Sequence, residues 1–174
     1  MLSDSYRNRL TQLRMSLPAR FHPVLDGLLA DLPLLFRPKA YPLVQTHLKL
    51  ADASNIHVDP ATGEITGIVD WTNADARPFG ISVGVGLETL LGVRTARGWH
   101  FHPGHERLRE VFWEAFYQCL GGRGSDENRR AVEVASMLGL FDEYGFEQGA
   151  LVRDSPVVTE GDEKFMCLEA LCLR

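Results

Sequence analysis

The chain has 174 residues, of which 45% are hydrophobic and 24% are charged, and its net charge is −5. A chain of this length is expected to fold as a single domain over residues 1–174, and its charged fraction is too low for compositional disorder. The mild acidity offers no basic surface for nucleic acid, and no run approaches the roughly 18 apolar residues of a membrane span. We therefore expect no nucleic-acid partner and no membrane partner.

Two helical patterns come first along the chain. Residues 3 to 15 place leucines on one face at helical spacing, and Pro18 ends this pattern. Residues 21 to 32 form the second pattern, with Pro23 in its first turn, where the missing N–H costs no hydrogen bond. The proline-rich stretch that follows predicts a connector.

A short strand is predicted at residues 43 to 46, and a β-hairpin follows it. The hairpin strands are expected at residues 55 to 59 and 64 to 70, on either side of the turn sequence DPATGE. Pro60 and Gly63 are turn formers in that sequence. The run IVDW at the end of the hairpin is apolar and β-branched, which predicts a covered strand.

The rest of the chain is predicted to be mostly helical. Helices are expected at residues 81 to 91, 106 to 120 and 127 to 141, with a last helix ending near residue 173. The second of these carries apolar residues at helical spacing and is predicted to bury them. The predicted fold class is therefore α+β, mostly helical, with one small two-stranded hairpin.

The segment GVRTARGWHFHPGH is predicted to be a loop. Its three histidines, at positions 100, 102 and 105, could hold a metal if two of them shared one face of a strand, or could simply be exposed. The cysteines, at positions 119, 167 and 172, lie in apolar helical contexts. We expect buried free thiols rather than a disulfide framework, which favours a reducing, cytosolic setting.

Polar side chains are placed at one end of the predicted hairpin. Asn55 opens its first strand and Asp70 ends its second, so antiparallel pairing would bring them together. Amide and carboxylate oxygens are ligands that Mg²⁺ takes alongside phosphates. With His47 just upstream, the order of these residues is that of a kinase catalytic centre. The alternative is that Asp70 only caps the turn after its strand, and Asn55 has the same two interpretations.

The segment YPLVQTHLKLADASNIHVDPATGEITGIVDW resembles the catalytic segment of the aminoglycoside phosphotransferase and choline-kinase-like family. It is most similar to the fungal branch, whose pattern reads approximately THGDL…NILVDPDTGEITGIVDWE. The resemblance continues into PFG, RLREVFWEAF and GLFDEYGF. It implies a protein-kinase-like fold, represented here by the C-terminal lobe alone. It also implies that Asn55 and Asp70 hold magnesium, that ATP donates the phosphoryl group, and that a loop aspartate is the base.

The loop departs from the family pattern at the position of that base. Lys49 stands there when the register is anchored on His47, and Leu50 when it is anchored on Asn55. The nearest carboxylate is Asp52, which could act as a displaced base only if the loop re-forms. His47 is then expected to be structural. The preceding residues also show no glycine-rich loop and no strand lysine of an N-terminal lobe.

Three functions follow from these observations. The first is a degenerate, truncated family member that acts as a binding or interaction module. The second is an active kinase that transfers phosphate from ATP to the hydroxyl of a small alcohol, with magnesium on Asn55 and Asp70 and with Asp52 as base. The third is an oligomerising protein that self-associates through the exposed interlobe face, where Leu48 and Leu50 add apolar surface. The N-terminal helix could instead cover that face.

Overall fold

The structure is a computed structural model that describes residues 2–37, 41–121, 126–149, 152 and 154–173. Helices dominate the described residues, and the strands form small antiparallel pairs, which confirms the predicted α+β class. The helices are α1 (Leu2–Ser16), α2 (His22–Asp31), α3 (Ile81–Leu91), α4 (His105–Cys119), α5 (Asp126–Tyr144) and α6 (Glu163–Cys172). The strands are β1 (Leu43–Thr46), β2 (Ile56–Val58), β3 (Ile65–Ile68), β4 (Asp75–Pro78), β5 (Gly92–Thr95) and β6 (Gly98–Phe101).

The predicted hairpin is present as β2 and β3, and two further strand pairs accompany it. β1 pairs with β4, so these two strands bracket the hairpin in sequence. β5 pairs with β6 in the segment that was predicted to be a loop, and that prediction is wrong. The turn between β5 and β6 has no Asn-Gly pair in its sequence, so the usual hairpin signal is missing. Thr95 closes this turn with its side chain. The Thr95 hydroxyl donates to the carbonyl of Gly98, whose φ is +97°.

The hairpin projects from the helical body more than its sequence indicates. Ile65 is 55% exposed, and Ile68 and Val69 are also exposed. The prediction of a covered strand is therefore wrong. The residues are apolar and β-branched as expected, but no second layer among the described residues packs over this two-stranded sheet.

The core lies between the N-terminal and C-terminal helices. Most buried apolar side chains of the described residues form one cluster, to which α1, α2, α3, α5 and α6 contribute. Leu10 and Leu13 of α1 lie in it as predicted, and Cys167 and Cys172 are buried with them. Cys119 is exposed, so the prediction that all three cysteines are buried is wrong.

α4 lies at the edge of this body. None of its residues is fully buried, although its apolar spacing predicts a covered face. Leu108 is 52% exposed and Val111 is 43% exposed. The helix is held instead from its other side, where the Arg109 guanidinium donates to both carboxylate oxygens of Glu88 at 3.1 and 3.0 Å. Tertiary contacts, rather than the strength of the apolar pattern, decide which face is covered.

α3 and α5 cross in direct backbone contact. A Cβ added at Gly139 would lie 1.8 Å from the carbonyl oxygen of Ile81, and one at Gly84 would lie 2.7 Å from that of Ser136. Only glycine permits helices to approach this closely. Gly86 serves a second contact, because the side chain of Leu50 lies 3.2 Å from the position of its missing Cβ. The glycines of α3 therefore have packing roles.

A buried ion pair fastens α1 to the end of α5. The Arg9 Nε donates to Asp142 Oδ1 at 2.5 Å, and its Nη2 donates to the carbonyl of Gly149 at 3.2 Å. The ring of Phe146 lies 3.7 Å from the guanidinium carbon. Burial raises the pKa of the Asp142 carboxyl, and the positive charge of Arg9 opposes that rise. The pair fixes α1 next to α5.

We expect Gly139→Ala to lower the free energy of unfolding by about 3 kcal/mol, because the added methyl group meets backbone that cannot move aside. Gly27→Ala is the matched control, since Gly27 lies within α2 with no atom within 4 Å of an added Cβ. It should raise the free energy of unfolding by about 0.5 kcal/mol through helix propensity and chain entropy. Urea denaturation followed by circular dichroism measures both. A Gly139→Ala variant as stable as the wild type would contradict the rigid crossing.

Candidate functional site

The loop between β1 and β2 begins at His47, whose ring is buried and bonded on both sides. Its Nδ1 accepts the backbone N–H of Lys49 at 3.1 Å, so its Nε2 carries the proton and donates to the carbonyl of Val69 at 2.7 Å. The edge of the ring meets Trp71 with 4.9 Å between centroids. His47 thus joins the start of the loop to the end of β3, and both of its nitrogens are used within the protein.

Asn55 closes the other end of the loop. Its side-chain Nδ2 donates to the backbone carbonyl oxygen of Lys49 at 3.0 Å, and its backbone carbonyl accepts the N–H of Val69 at 3.0 Å. The residue is buried. The side-chain amide and the backbone of Asn55 therefore hold the loop in shape from within, and they bond to the same two residues, Lys49 and Val69, that His47 contacts.

Asp52 lies in the middle of the loop and caps the short 3₁₀ turn Ala53–Asn55. Its Oδ1 accepts from the backbone N–H of Ser54 at 3.0 Å and from the Ser54 hydroxyl at 2.7 Å. These hydrogen bonds lower the pKa of the Asp52 carboxyl. A carboxylate with a lowered pKa is a weak general base near neutral pH. The Asp-x-Ser sequence is a known capping signal, so this role was accessible from sequence but was not predicted.

Asp70 follows β3 in a left-handed backbone conformation, with φ +61° and ψ +55°. Among the described residues, no other non-glycine residue has a positive φ. Aspartate tolerates this conformation better than most residues, and such positions are concentrated at functional sites. The conformation turns the chain away from the hairpin. The carboxylate then accepts from the Thr72 hydroxyl at 2.6 Å and from the Lys49 ammonium.

The ion pair between Lys49 and Asp70 dominates the electrostatics of the site. Lys49 Nζ donates to Asp70 Oδ2 at 2.7 Å, across 21 residues of sequence. This hydrogen bond, followed by that from Thr72, lowers the pKa of the Asp70 carboxyl. The ammonium thus supplies positive charge at the carboxylate oxygen that a metal ion would need. As arranged, Asp70 does not offer Mg²⁺ a free pair of oxygens.

The sequence gives no local signal for this pair. Lys49 is noticeable only as the residue at the position of the family's catalytic aspartate, or as an ordinary loop lysine. Its partner lies beyond the whole hairpin, and only the fold of β2 and β3 brings the two together. Lys49 therefore contributes a positive charge to this site.

The three histidines at positions 100, 102 and 105 were a predicted candidate for a metal site. Among the described residues, no group of three or more His, Cys, Asp or Glu side chains is arranged to hold a metal ion. The ring of His105 stacks on Phe101 at 4.3 Å between centroids and contacts the carbonyl of His102.

Of the helices in the described part of the chain, none has the length and apolar character needed to cross a membrane.

Comparison of the chain with protein-family models, with curated proteins and with solved structures finds no match. The family resemblance of the loop and hairpin therefore remains a prediction.

A cleft of about 500 Å³ opens beside the loop. Asp52 lies on one wall, Thr89 and Arg94 on a second, and Glu143 on a third. This volume suits a small molecule. Sequence analysis missed the cleft because its walls come from the loop, α3, β5 and α5, which are far apart along the chain.

Leu48 and Leu50 are less exposed than predicted. Both are half-buried, and Leu50 packs on α3 at Gly86. Tyr6 of α1 lines a small cavity of about 30 Å³ together with His47 and Leu48. The N-terminal helix α1 therefore borders this end of the loop, in the direction of the prediction that it covers the face with Leu48 and Leu50. The apolar side chains of the hairpin stay exposed.

We expect Lys49→Met to raise the pKa of Asp70 toward the ordinary carboxyl value, because the substitution removes the largest cause of its lowering. The pair stabilises the fold above the ordinary pKa of about 3.9, and this contribution is lost as pH falls through the lowered folded-state pKa. An NMR titration that follows the carboxyl carbon of Asp70 measures its pKa. Asp26, whose pKa is lowered by Arg14, is an internal control that should not move. An unchanged Asp70 pKa would show that the ion pair does not form in solution.

Proposed function

We propose that this chain is a degenerate member of the aminoglycoside phosphotransferase and choline-kinase-like family, with the fold of a kinase C-terminal lobe. It acts in the cytosol as a binding module rather than as an enzyme. The observation that carries this proposal is the contact of Lys49 Nζ with Asp70 Oδ2 at 2.7 Å. A protein cation lies on the carboxylate that would otherwise bind magnesium.

The loop and the hairpin support the family part of the proposal. His47 at the start of the loop reaches the backbone at Val69, one residue before Asp70. Asn55 at the end of the loop binds back to Lys49. The three positions that the family pattern marks as histidine, asparagine and metal-binding aspartate are thus linked to one another through the loop.

The side chains of the site also support the loss of catalysis. Phosphoryl transfer depends on metal ions and positioned charges, with a base to accept the proton of the attacking hydroxyl. The positive charge of Lys49 competes with a metal at Asp70, and Asp52 binds Ser54 and is a weak base. Loss of general-base help alone reduces a rate by about 10²- to 10⁴-fold. ATP and magnesium are therefore not expected to be used as cofactors.

The alternative is an active kinase in which Asn55 and Asp70 hold magnesium and Asp52 is the base. The cleft beside Asp52 is the observation that favours it, because a small alcohol could bind there within reach of that carboxylate. In this case the loop would have to open, with Asp52 released from Ser54 and Lys49 displaced from Asp70.

We expect the wild-type chain to transfer no phosphate from ATP to small alcohols or amino alcohols above background, and to bind Mn²⁺ only weakly. Lys49→Met should increase the Mn²⁺ affinity at least tenfold, because Asp70 and Asn55 lose their competing cation. The increase should disappear in Lys49→Met with Asp70→Asn. Electron paramagnetic resonance of free Mn²⁺ measures the binding.

The control for this experiment is Asp59→Asn, in the hairpin turn, which should leave the Mn²⁺ affinity of the Lys49→Met variant unchanged. Asp59 is a half-buried residue of the hairpin turn whose carboxylate accepts the N–H of Ala61, and it takes no part in the loop contacts of Asp70. Phosphoryl transfer by the wild-type chain that Asp70→Asn abolishes would refute the non-catalytic proposal and support the alternative kinase.

The exposed surface of the hairpin favours a second function, self-association. We define the hairpin patch as the exposed apolar side chains Leu43, Val58, Ile65, Ile68, Val69 and Trp71. Val58 lies opposite Ile65 across the two strands, so their side chains share one face. Burial of apolar surface stabilises an interface by roughly 25 cal/mol per Å², against which the costs of association must be set. A second copy of the chain could supply the missing layer.

We expect the average mass of the wild-type chain to rise with concentration, and that of Val58→Thr with Ile65→Thr to rise much less. Threonine keeps the β-branched shape that suits a strand while removing apolar surface. Met15→Gln is the control, because Met15 is 82% exposed on α1 and is not part of the hairpin patch. Sedimentation equilibrium measures the masses. Equal masses for the wild type and the double variant at every concentration would exclude association through this patch.

A further inference from the structure

A groove of about 430 Å³ separates α4 from α3 and α5. It lies on the opposite side of the α3–α5 pair from the loop. Gly84 and Leu87 of α3 line this groove, whereas Ile81 and Val85 of the same helix face the loop. The volume of the groove falls within the range of small-molecule sites. It lies where the half-buried side of α4, which carries Trp113 and Tyr117, faces α3 and α5.

The walls of the groove are apolar and aromatic. The rings of Trp113 and Tyr117 on α4 stack with 5.7 Å between centroids and 24° between planes. Leu87, Met137 and Leu140 on α3 and α5 also line it. Aromatic rings and a methionine side chain form a surface against which a flat apolar group can pack.

One polar group in this wall has no internal partner. The hydroxyl of Tyr117 is buried, and no described residue makes a hydrogen bond with it. The other polar side chains deeper in the groove are already used. Ser136 donates to the carbonyl of Gly80, and both oxygens of Glu88 accept from Arg109. A buried hydroxyl without a partner lowers stability, so its retention at the edge of a groove points to a bound molecule.

A carboxylate lies near that hydroxyl. Glu133 lines the same groove, and its charge, after burial, contributes to the raised pKa of the Tyr117 hydroxyl. Its ion pair with Arg130 is long, at 3.5 Å, and Arg130 has closer contacts with Asp31. The Arg129 guanidinium lies 4.4 Å from the centre of the Tyr117 ring, but this residue does not line the groove. Arg109 also lines the groove, but Glu88 balances its charge, so the net charge of the lining side chains is the negative charge of Glu133.

We propose that this groove is a ligand site for a small protonated amine carried on a flat apolar group. The ammonium donates to the Glu133 carboxylate and to the Tyr117 hydroxyl oxygen. The apolar group lies against Trp113 and Met137. The positive charge is favoured by the carboxylate and by the aromatic faces beside it. The site is independent of the proposed loss of catalysis, because the groove shares no lining residue with the loop or with the cleft at Asp52.

The experiment compares three probes of nearly equal size and shape, which are phenethylamine, 2-phenylethanol and phenylacetate. They carry an ammonium, a hydroxyl and a carboxylate, respectively, on a short chain attached to a phenyl ring. Titration followed by isothermal calorimetry should show phenethylamine binding at least tenfold more tightly than either of the others. No phenethylamine binding up to millimolar concentration would overturn the proposal. Equal binding of the alcohol or the acid would overturn the amine assignment.

Two variants test the residues. Glu133→Gln, which keeps the shape of the side chain, should weaken phenethylamine binding at least tenfold. Tyr117→Phe should weaken it about fivefold. Glu114→Gln is the matched control, because Glu114 is an exposed carboxylate on α4 that does not line the groove. The affinity of this variant for phenethylamine should stay within twofold of the wild-type affinity. Phenethylamine affinity that is the same in Glu133→Gln as in the wild type would place the ligand elsewhere.

A stability measurement separates a ligand site from a structural hydroxyl. Without ligand, the melting temperature of Tyr117→Phe should equal or exceed that of the wild type, because the substitution removes an unpartnered buried hydroxyl. A clear fall would mean that the hydroxyl bonds within the protein, and would overturn its role. Lys49→Met should bind phenethylamine as the wild type does, so failure of the proposed loop function would leave this result unaffected.

Discussion

The close crossing of α3 and α5 at Gly84 and Gly139 sets the positions of the other parts of the molecule. Two helices in backbone contact form a rigid pair with little freedom to slide, because carbonyl oxygens occupy the space that any side chain would need. The loop packs on one side of this pair, where Leu50 lies against Gly86. The aromatic groove lies on the other side. The same few glycines thus position two chemically different surfaces.

The loop illustrates how a lysine side chain can neutralise a carboxylate that has the chemistry of a metal ligand. A lysine ammonium and a magnesium ion both neutralise Asp70, but they differ in what else they can do. A metal ion has several coordination positions and can carry phosphate oxygens, whereas an ammonium is attached to the chain and offers only hydrogen-bond donors. Lys49 and Asp70 are both partly exposed, so the pair contributes little to stability. Its importance lies in its position.

Sequence patterns predicted the elements whose structure is determined locally. The helix at Ile81–Leu91 and the strand at Leu43–Thr46 have the predicted bounds, and the hairpin turns at Gly63, where φ is +76°. The patterns failed where the answer depends on a distant layer. The exposed faces of β3 and α4 have the composition of buried ones, and only the absence of a covering element in the described structure distinguishes them.

The candidate site was predictable to the same degree. The family pattern identified the loop and named His47, Asn55 and Asp70, which lie together in the fold through contacts with Lys49 and Val69. The pairing of Lys49 with Asp70 was not predictable, because two exposed charges 21 residues apart carry no periodic signal. The groove at Tyr117 is equally invisible in sequence, since three helices form it and an unbonded hydroxyl has no sequence signature.

The ion pair between Arg9 and Asp142 also bears on how the chain reaches its fold. Its partners are separated by 133 residues, so α1 cannot complete its contacts until those residues have been made. At ribosomal rates of about 5–20 residues per second, Arg9 waits roughly 7–27 s for its partner. During that interval α1 can pack against α2 and the 3₁₀ segment Leu32–Phe36, but not against α5. Contacts of such long range slow folding, and α1 stays accessible to chaperones until α5 has been made.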